Sequence, residues 1–400
     1  MKSGRGYEHS HPWISFTVDL RPAAPRVWSL LGQAVAGCRQ VAEAALPPLQ
    51  AAEMYRLYLS RGARATTAIE GNTLSEAQVR ARLEGQLDLP LSQAYLGREV
   101  GNILDACERI WQQIHGGDAP RLSPDLVADY NRRVLAGLEE HLAEGVIAGE
   151  IPRHRVAVAG YQGAPRSDCL HLLARMCEWL EHEPAGSPFT HAPDNRIAVG
   201  LLQAILAHLY LAWIHPFGDG NGRTARLVEF MLLARSGVPA PTAHLLSNHY
   251  NQTRAEYYRQ LDRSSRANAG RGDPLEFLCY ALQGFVDGVR EQCDYVGRIQ
   301  LAIAWEHLVY DTFHAEPPTG ANARRRMLVL ALGAAEHPVP TSAIVELTPA
   351  LTRAYAVKTA KTLTRDLNWL LDRDLVRRSA QGYRARVERM HSFQPATALP

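Results

Sequence analysis

Apolar residues occupy most faces of residues 201–214, a pattern that predicts a helix buried on all sides within a helical domain. Pro216 ends it. Proline disfavours the helical conformation of the residue before it, so His215 is predicted at the helix boundary, and a new helix is predicted to start near Asn221 to Arg223. Upstream, residues 25–115 read as largely helical with a break at Pro47 and Pro48, and with helices over 76–87 and 92–115. Ser123-Pro124-Asp125 reads as a cap, followed by a helix to about Leu142. Residues 149–161 depart from this pattern. Small and β-branched residues alternate there between glycines, which predicts a short strand or hairpin. A helical run then ends near Phe313, and the turn formers Glu316-Pro317-Pro318-Thr319-Gly320-Ala321-Asn322 mark a domain boundary. Beyond it, helices are predicted over 324–335, over 341–347 behind a Thr341-Ser342 cap, and over about 355–372, the last burying Val357, Ala360, Leu363, Leu367 and Leu370. Residues 375–386 read as two strands around a glycine turn. The fold class is therefore mainly α, and no repeat or low-complexity tract interrupts it.

Composition changes this picture little. At 400 residues the chain has room for two domains, and 46% hydrophobic with 21% charged residues is ordinary for a globular protein. The six cysteines show no C-x-x-C spacing, so reduced thiols are expected rather than a zinc or redox site. The first residues lack an apolar signal core and no apolar run is long enough to span a bilayer, so a cytoplasmic protein with no membrane partner is expected. Charge is informative. Net charge is only +2, yet residues 321–400 carry 13 Lys and Arg against 6 Asp and Glu, while the rest carries 30 against 35. The tail is a separate basic unit.

The candidate chemistry lies between the two central helices, in His215-Pro216-Phe217-Gly218-Asp219-Gly220-Asn221-Gly222-Arg223-Thr224-Ala225-Arg226. Phe217 is expected to anchor the loop in the core, while Gly218, Gly220 and Gly222 permit positive φ and close approach of a ligand to the backbone. The N–H groups of the restarting helix form an anion site, Arg223 adds a planar charge suited to phosphate oxygens, and Arg226, three residues on, reaches a more distal phosphate. His215 is the candidate general base, since imidazole titrates near neutrality. Asp219 is the candidate Mg²⁺ ligand, because that ion commonly takes one or two carboxylates plus nucleotide phosphates. Taken singly, each residue has a plainer reading: a turning loop, a structural histidine, a capping aspartate.

Together these residues match, at every specified position, the signature His-x-Phe-x-Asp/Glu-Gly-Asn-Gly-Arg-x-x-Arg, and over residues 60–260 the chain resembles the Fic family. The resemblance implies a helical core with a hairpin flap that holds the target by strand addition, and transfer of AMP from ATP to a hydroxyl side chain (Ser, Thr or Tyr) of a target protein, which can be the enzyme itself. It implies His215, Asn221 and Arg223 as catalytic residues with His215 as base, Asp219 on Mg²⁺, Gly218 in the nucleotide site, Gly220, Asn221 and Gly222 around the α- and β-phosphates, Arg223 on the phosphates and Arg226 on the γ-phosphate. Doc-type kinases carry Lys where Gly222 stands, which weakens a phosphotransferase reading. Tyr250, Asn251 and Tyr258 resemble the segment closing the adenine side, although such aromatics serve equally as core.

Upstream, Thr66 and Glu70 stand four apart before Gly71-Asn72, so on a helix they share a face near its end. This segment resembles the inhibitory motif Ser/Thr-x-x-x-Glu-Gly/Asn, which implies that Glu70 pairs with Arg226 and keeps the γ-phosphate from productive binding; in some relatives the same glutamate supports removal of AMP. The C-terminal order of three helices and a hairpin resembles a winged helix-turn-helix. There Lys358, Lys361 and Arg365 on the third helix and Arg384 and Arg386 on the wing would meet DNA phosphates, unless the domain serves self-association as in a homodimer. The expected organisation is a helical lead-in over 1–59, a catalytic core over 60–315 and the winged unit over 322–390. Two alternatives stay open: a DNA-binding regulator with a nucleotide-sensing core, and an enzyme of the same fold that uses another nucleotide donor.

Overall fold

The structure is a computed structural model that describes residues 5–152, 157–158, 161–182 and 195–390. Of the predicted hairpin segment, Arg153, His154, Arg155, Val156, Ala159 and Gly160 lie outside the described residues. The chain divides into two compact units, Met1–Cys293 and Asp294–Pro400. The division falls inside a long helix, about twenty residues before the predicted turn at 316–322.

In the first unit the described helices are α1 (Gly6–Ser10), α2 (Ala24–Ala42), α3 (Pro48–Ala68), α4 (Glu76–Leu83), α5 (Ala94–His115), α6 (Pro124–Val134), α7 (Arg166–His182), α8 (Arg196–Ile214), α9 (Asn221–Arg235), α10 (Leu245–Gln252) and α11 (Arg254–Gly270), with α12 (Leu275–His314) beginning here. Their starts follow the expected chemistry. Ser75 and Gln78 form a reciprocal capping box on α4, and Ser123 caps α6 ahead of Pro124. Two helices stop earlier than predicted: α4 at Leu83 and α6 at Val134, because Gly85 and Gly137 turn the chain at positive φ of 69° and 68°. The expected lead-in boundary at residue 59 also moves, since α3 runs unbroken through it.

The core is built on α8. Most of its side chains are buried, including Leu201, Leu202, Ile205, Leu206 and Leu209, each about 1.5–3 kcal/mol of burial free energy. By length and composition α8 could cross a membrane, which corrects the expectation that no such run exists, but 83% of its apolar window is buried inside the unit. Its partner α9 lies close: a Cβ on Gly200 would stand 2.2 Å from Cβ of Ser236 at the end of α9. The end of α3, α5 and α6 pack around α9, so three separate stretches of sequence meet at its first turn. A two-residue-per-strand antiparallel hairpin, β1 (Ala157–Val158) and β2 (Tyr161–Gln162), pairs Ala157 with Gln162 and Val158 with Tyr161.

The second unit has its own core, formed by Trp305, Val309 and Phe313 of α12 with Leu328, Leu332, Ile344, Leu351, Leu367 and Leu370 among others. Its elements are α13 (Gly320–Gly333), α14 (Pro349–Tyr355), α15 (Ala360–Asp372) and the antiparallel hairpin β3 (Val376–Ser379) with β4 (Gly382–Ala385). Val339 bridges antiparallel to Tyr383 and so pairs with β4 from outside the hairpin. Three helices and a hairpin are present as predicted, but two boundaries differ. The predicted helix over 341–347 is only a 3-10 turn at Ile344–Glu346; the second helix is α14, where the Thr348 side chain accepts from the Leu351 N–H and Pro349 occupies the first turn. Val357, predicted as core, is 86% exposed, because α15 begins only at Ala360. Buried Asp366 ties the helices together, accepting from Arg324, Arg325 and the Tyr355 hydroxyl.

Candidate active site

The α8–α9 connection turns as the proline reading requires. His215 is the residue after α8 and takes a left-handed conformation, φ 50° and ψ 57°, uncommon for a side chain with a Cβ and characteristic of functional positions. Pro216 and Phe217 are buried behind it. Asn221 closes the loop on itself: its Oδ1 accepts from the Phe217 N–H at 2.9 Å and its Nδ2 donates to the Phe217 carbonyl at 2.7 Å. In this structure Asn221 therefore shapes the loop. Of the three loop glycines only Gly220, at φ 73°, has positive φ, which corrects the expectation for Gly218 and Gly222. Those two are small for another reason. A Cβ on Gly218 would meet Val146 at 2.7 Å, and one on Gly222 would meet Oε1 of Glu70 at 2.1 Å.

His215 is half-buried beside the hairpin, with its ring 6.4 Å from that of Tyr161 in an edge-on arrangement. The hairpin is fastened to this end of α8: the Tyr161 hydroxyl donates to the Trp213 carbonyl at 2.6 Å and the Ala164 N–H to the Ile214 carbonyl at 3.0 Å. Burial pushes the His215 pKa below the ordinary imidazole value, and the Ala212 carbonyl, Glu70 and Asp219 oppose that only in part. A neutral imidazole at physiological pH is the form a general base needs.

Two motif arginines are buried. Arg226 has a fully buried side chain whose Nη2 donates to Oε1 of Glu70 at 2.5 Å and to the Thr66 carbonyl at 2.9 Å. Among the described residues its Nε and Nη1 have no hydrogen-bond partner. Burial alone would raise the Glu70 carboxyl, but Arg226 holds it below its usual range, so the pair is ionic. Glu70 lies beyond α3, which ends at Ala68, and Gly71 turns the chain at φ 105°. Thr66 and Glu70 thus reach the same guanidinium, Thr66 through its backbone and not its hydroxyl. Arg223 donates from Nη1 to Oε1 of Glu99 at 2.9 Å and from Nη2 to Oδ1 of Asp219 at 3.1 Å, while its Nε has no partner among the described residues.

Asp219 is held from below. The Gly220 N–H donates to its Oδ1, and buried Asn131 donates from Nδ2 to the Asp219 carbonyl at 2.9 Å and to Thr224 Oγ1 at 3.1 Å, while its Oδ1 accepts from the Gly149 N–H at 2.7 Å. The Asp219 side chain is 40% exposed beside the first turn of α9. A partly exposed carboxylate beside unpaired cationic donors fits a Mg²⁺ ion that arrives with phosphates; among the described residues no group of three or more His, Cys, Asp or Glu could hold a metal by itself.

Asn131 and Glu99 escaped the sequence reading, since each is a single polar residue on an amphipathic helix with no local signature. The adenine-side residues separate. Tyr250 is fully buried with its hydroxyl on Glu229 at 2.9 Å and its ring stacked on Tyr257, so it packs in the core. Asn251 is partly buried. Tyr258 is exposed and its hydroxyl points at the Ile69 carbonyl, 3.4 Å away, next to Glu70.

The comparisons with known proteins agree with this geometry. The model described as the Fic/DOC family matches residues 121–233. "Protein adenylyltransferase fic-1" of Caenorhabditis briggsae is 34% identical over 231 residues, which is 58% of this chain and 40% of the relative. The chain thus spans about two fifths of the length of that curated relative. Among solved structures, Fic-1 (aa134–508) from C. elegans superposes with a TM-score of 0.52 at 25% identity over 70% of this chain and 74% of that one. A Fic family protein from Desulfovibrio desulfuricans shares the fold at a TM-score of 0.53 and 21% identity, over 90% of this chain and 96% of that chain. What this chain shares with the Fic/DOC family is therefore the segment 121–233, which holds the His215 to Arg226 motif.

Proposed function

We propose that this chain transfers AMP from ATP to a hydroxyl side chain of a protein, and that Glu70 holds this activity in check. The observation that carries the reading is the pair of buried guanidinium groups, Arg223 and Arg226, with three N–H-bearing nitrogens left unpaired at a helix N-terminus. Buried cations with unpaired donors are costly, so a site built this way is completed by an anion with several oxygens. A triphosphate supplies them. His215 takes the proton from the incoming hydroxyl, whose oxygen forms a bond to the α-phosphorus; the bond from that phosphorus to the bridging oxygen breaks, and pyrophosphate leaves. Arg223, Arg226 and the first N–H groups of α9 offset the negative charge that develops on the leaving side. Mg²⁺ on Asp219, when bound, would neutralise phosphate charge and orient the triphosphate. The hairpin fastened to the end of α8 supports strand-wise presentation of the target beside His215.

Glu70 occupies Arg226 at the point where the distal phosphate would bind, which supports inhibition. The test is incubation of Glu70→Gly protein with each labelled nucleoside triphosphate and cell lysate, with Glu70→Gly,His215→Ala protein alongside. Labelling from ATP that is lost with His215 is expected. Labelling from UTP or GTP in preference would replace ATP as donor, and labelling independent of His215 would overturn the mechanism.

A second role is favoured by the second unit. Lys358, Lys361, Arg365 and Arg384 are exposed and form no ion pair among the described residues, whereas Arg386 is tied to Asp374 and Glu388. Four free cations on α15 and its approach and on β4 support contact with DNA phosphates in the manner of a winged helix, with Arg386 excluded from that set. A mobility shift on random duplex whose affinity falls with salt at a slope of about 0.9 per phosphate contact is expected. No shift, with self-association in its place, would assign this face to pairing of subunits.

A further inference from the structure

Glu99 of α5 stands between two parts of the site that the motif alone leaves unconnected. Its Oε1 accepts from Arg223 Nη1 at 2.9 Å and its Oε2 accepts from Nδ2 of Asn72 at 2.8 Å. Asn72 is buried and lies two residues after Glu70. Its Nδ2 also donates to the Leu96 carbonyl at 3.0 Å, and its Oδ1 accepts from the Leu74 N–H at 3.0 Å, so its amide is committed at both ends. The turn 70–72 therefore touches both motif arginines: Arg226 directly through Glu70, and Arg223 through Asn72 and Glu99.

We propose that Glu99 is a positioning residue that sets the orientation of Arg223 and couples it to the Glu70–Asn72 turn. With Nη1 fixed by Glu99, the Arg223 guanidinium keeps one orientation, with its buried Nε unpaired among the described residues, and Nη2 is free to leave Asp219 for a phosphate oxygen. The carboxylate suits this task because its two oxygens serve two donors on different elements. A residue with no acceptor here would leave Arg223 with Asp219 as its only partner, and both would then turn toward each other instead of toward nucleotide. The coupling works in the other direction as well. Moving the turn to free Arg226 strips Asn72 from Glu99, so the inhibited arrangement is held at two points.

This inference rests on the nucleotide site proposed above, and its readout is ATP binding, which does not require transfer. ATP with Mg²⁺ is titrated calorimetrically into protein carrying His215→Ala, with a thermal melt of each variant. Asn72→Ala is expected to tighten ATP binding about tenfold while Glu70 is present and to have no effect once Glu70 is Gly. Glu99→Ala in the Glu70→Gly protein is expected to weaken binding about tenfold, with Glu99→Gln between the two because one acceptor survives. Equal affinity of the Glu70→Gly protein with and without Glu99, both folded, would overturn the proposal. So would an Asn72→Ala effect of the same size in both backgrounds. If Glu99→Ala does not melt cooperatively, the Glu99→Gln protein makes the same comparison. Failure of AMP transfer by the Glu70→Gly protein with His215 restored, with these binding shifts intact, would sink the transferase reading and leave the coupling standing; the converse result would do the reverse.

Discussion

Replacing Glu70 by Gly removes the partner of a buried cation, and this has two opposed consequences. Two unit charges about 4 Å apart at an effective dielectric of about 20 attract by about 4 kcal/mol. Arg226 is fully buried but a third of the Glu70 side chain is exposed, so solvent screening reduces the net worth of the pair to about 2 kcal/mol. Without it Arg226 keeps the Thr66 carbonyl on Nη2 and has unpaired donors at Nε and Nη1. The free variant is therefore expected to be about 2 kcal/mol less stable, seen as a lower melting temperature. A triphosphate supplies oxygens to the same donors without competition, so ATP is expected to bind about thirtyfold more tightly and to raise the melting temperature more than it does for wild type. Labelled transfer rises in parallel. The assay is a thermal melt with and without ATP and Mg²⁺, paired with transfer of labelled AMP. A variant that is destabilised but gains neither ATP-induced stabilisation nor transfer would make Glu70 a structural counter-ion only, and the competition argument would fail.

Burial depresses the His215 pKa, and the base acts in its neutral form, so transfer should stay level as pH falls through the ordinary imidazole value of 6.5 and decline only below it; a half-rate at or above that value would refute the assignment. Because the Glu70 carboxylate raises that pKa, the acid limb of Glu70→Gly protein should lie lower than that of a weakly active wild type. Asn131→Ala leaves the Gly149 N–H and the Asp219 carbonyl without their partner, which should lower stability by about 2–4 kcal/mol and weaken the Mg²⁺ dependence of ATP binding; unchanged Mg²⁺ dependence in a destabilised protein would confine Asn131 to a structural role.

Much of the site was legible because its signals are local. Pro216 sets the end of α8 and the position of His215, the apolar run before it sets burial, and the spacing of Arg223 and Arg226 sets the face of α9. The Glu70–Arg226 pair spans 156 positions and was reached only through the likeness of the segment to a family motif, since no local rule joins the two. Residues that act across elements were silent: Glu99 and Asn131 look in sequence like any polar residue on a half-exposed helix. Tyr250 was ambiguous because an aromatic residue serves equally in a core and in a base pocket, and the Glu229 carboxylate that receives its hydroxyl lies on another helix. In the second unit, Thr341-Ser342 after Pro340 looked like a helix start, but Thr348-Pro349 is the stronger one, with a side-chain cap and proline in the first turn. The glycines were misjudged for a related reason. Gly218 and Gly222 are needed for space beside Val146 and Glu70, and space is a property of the packed structure.

In the proposed reaction AMP, and not the γ-phosphoryl group, moves to a protein hydroxyl. This transfer is tested most directly by incubating Glu70→Gly protein and lysate with ATP labelled on either the α- or the γ-phosphorus, followed by mass analysis of the modified protein. The α-label is expected to enter protein as an adenylyl group on Ser, Thr or Tyr while the γ-label leaves as pyrophosphate, with both events lost on adding His215→Ala. Entry of the γ-label, or of neither label from a protein that binds ATP, would contradict it.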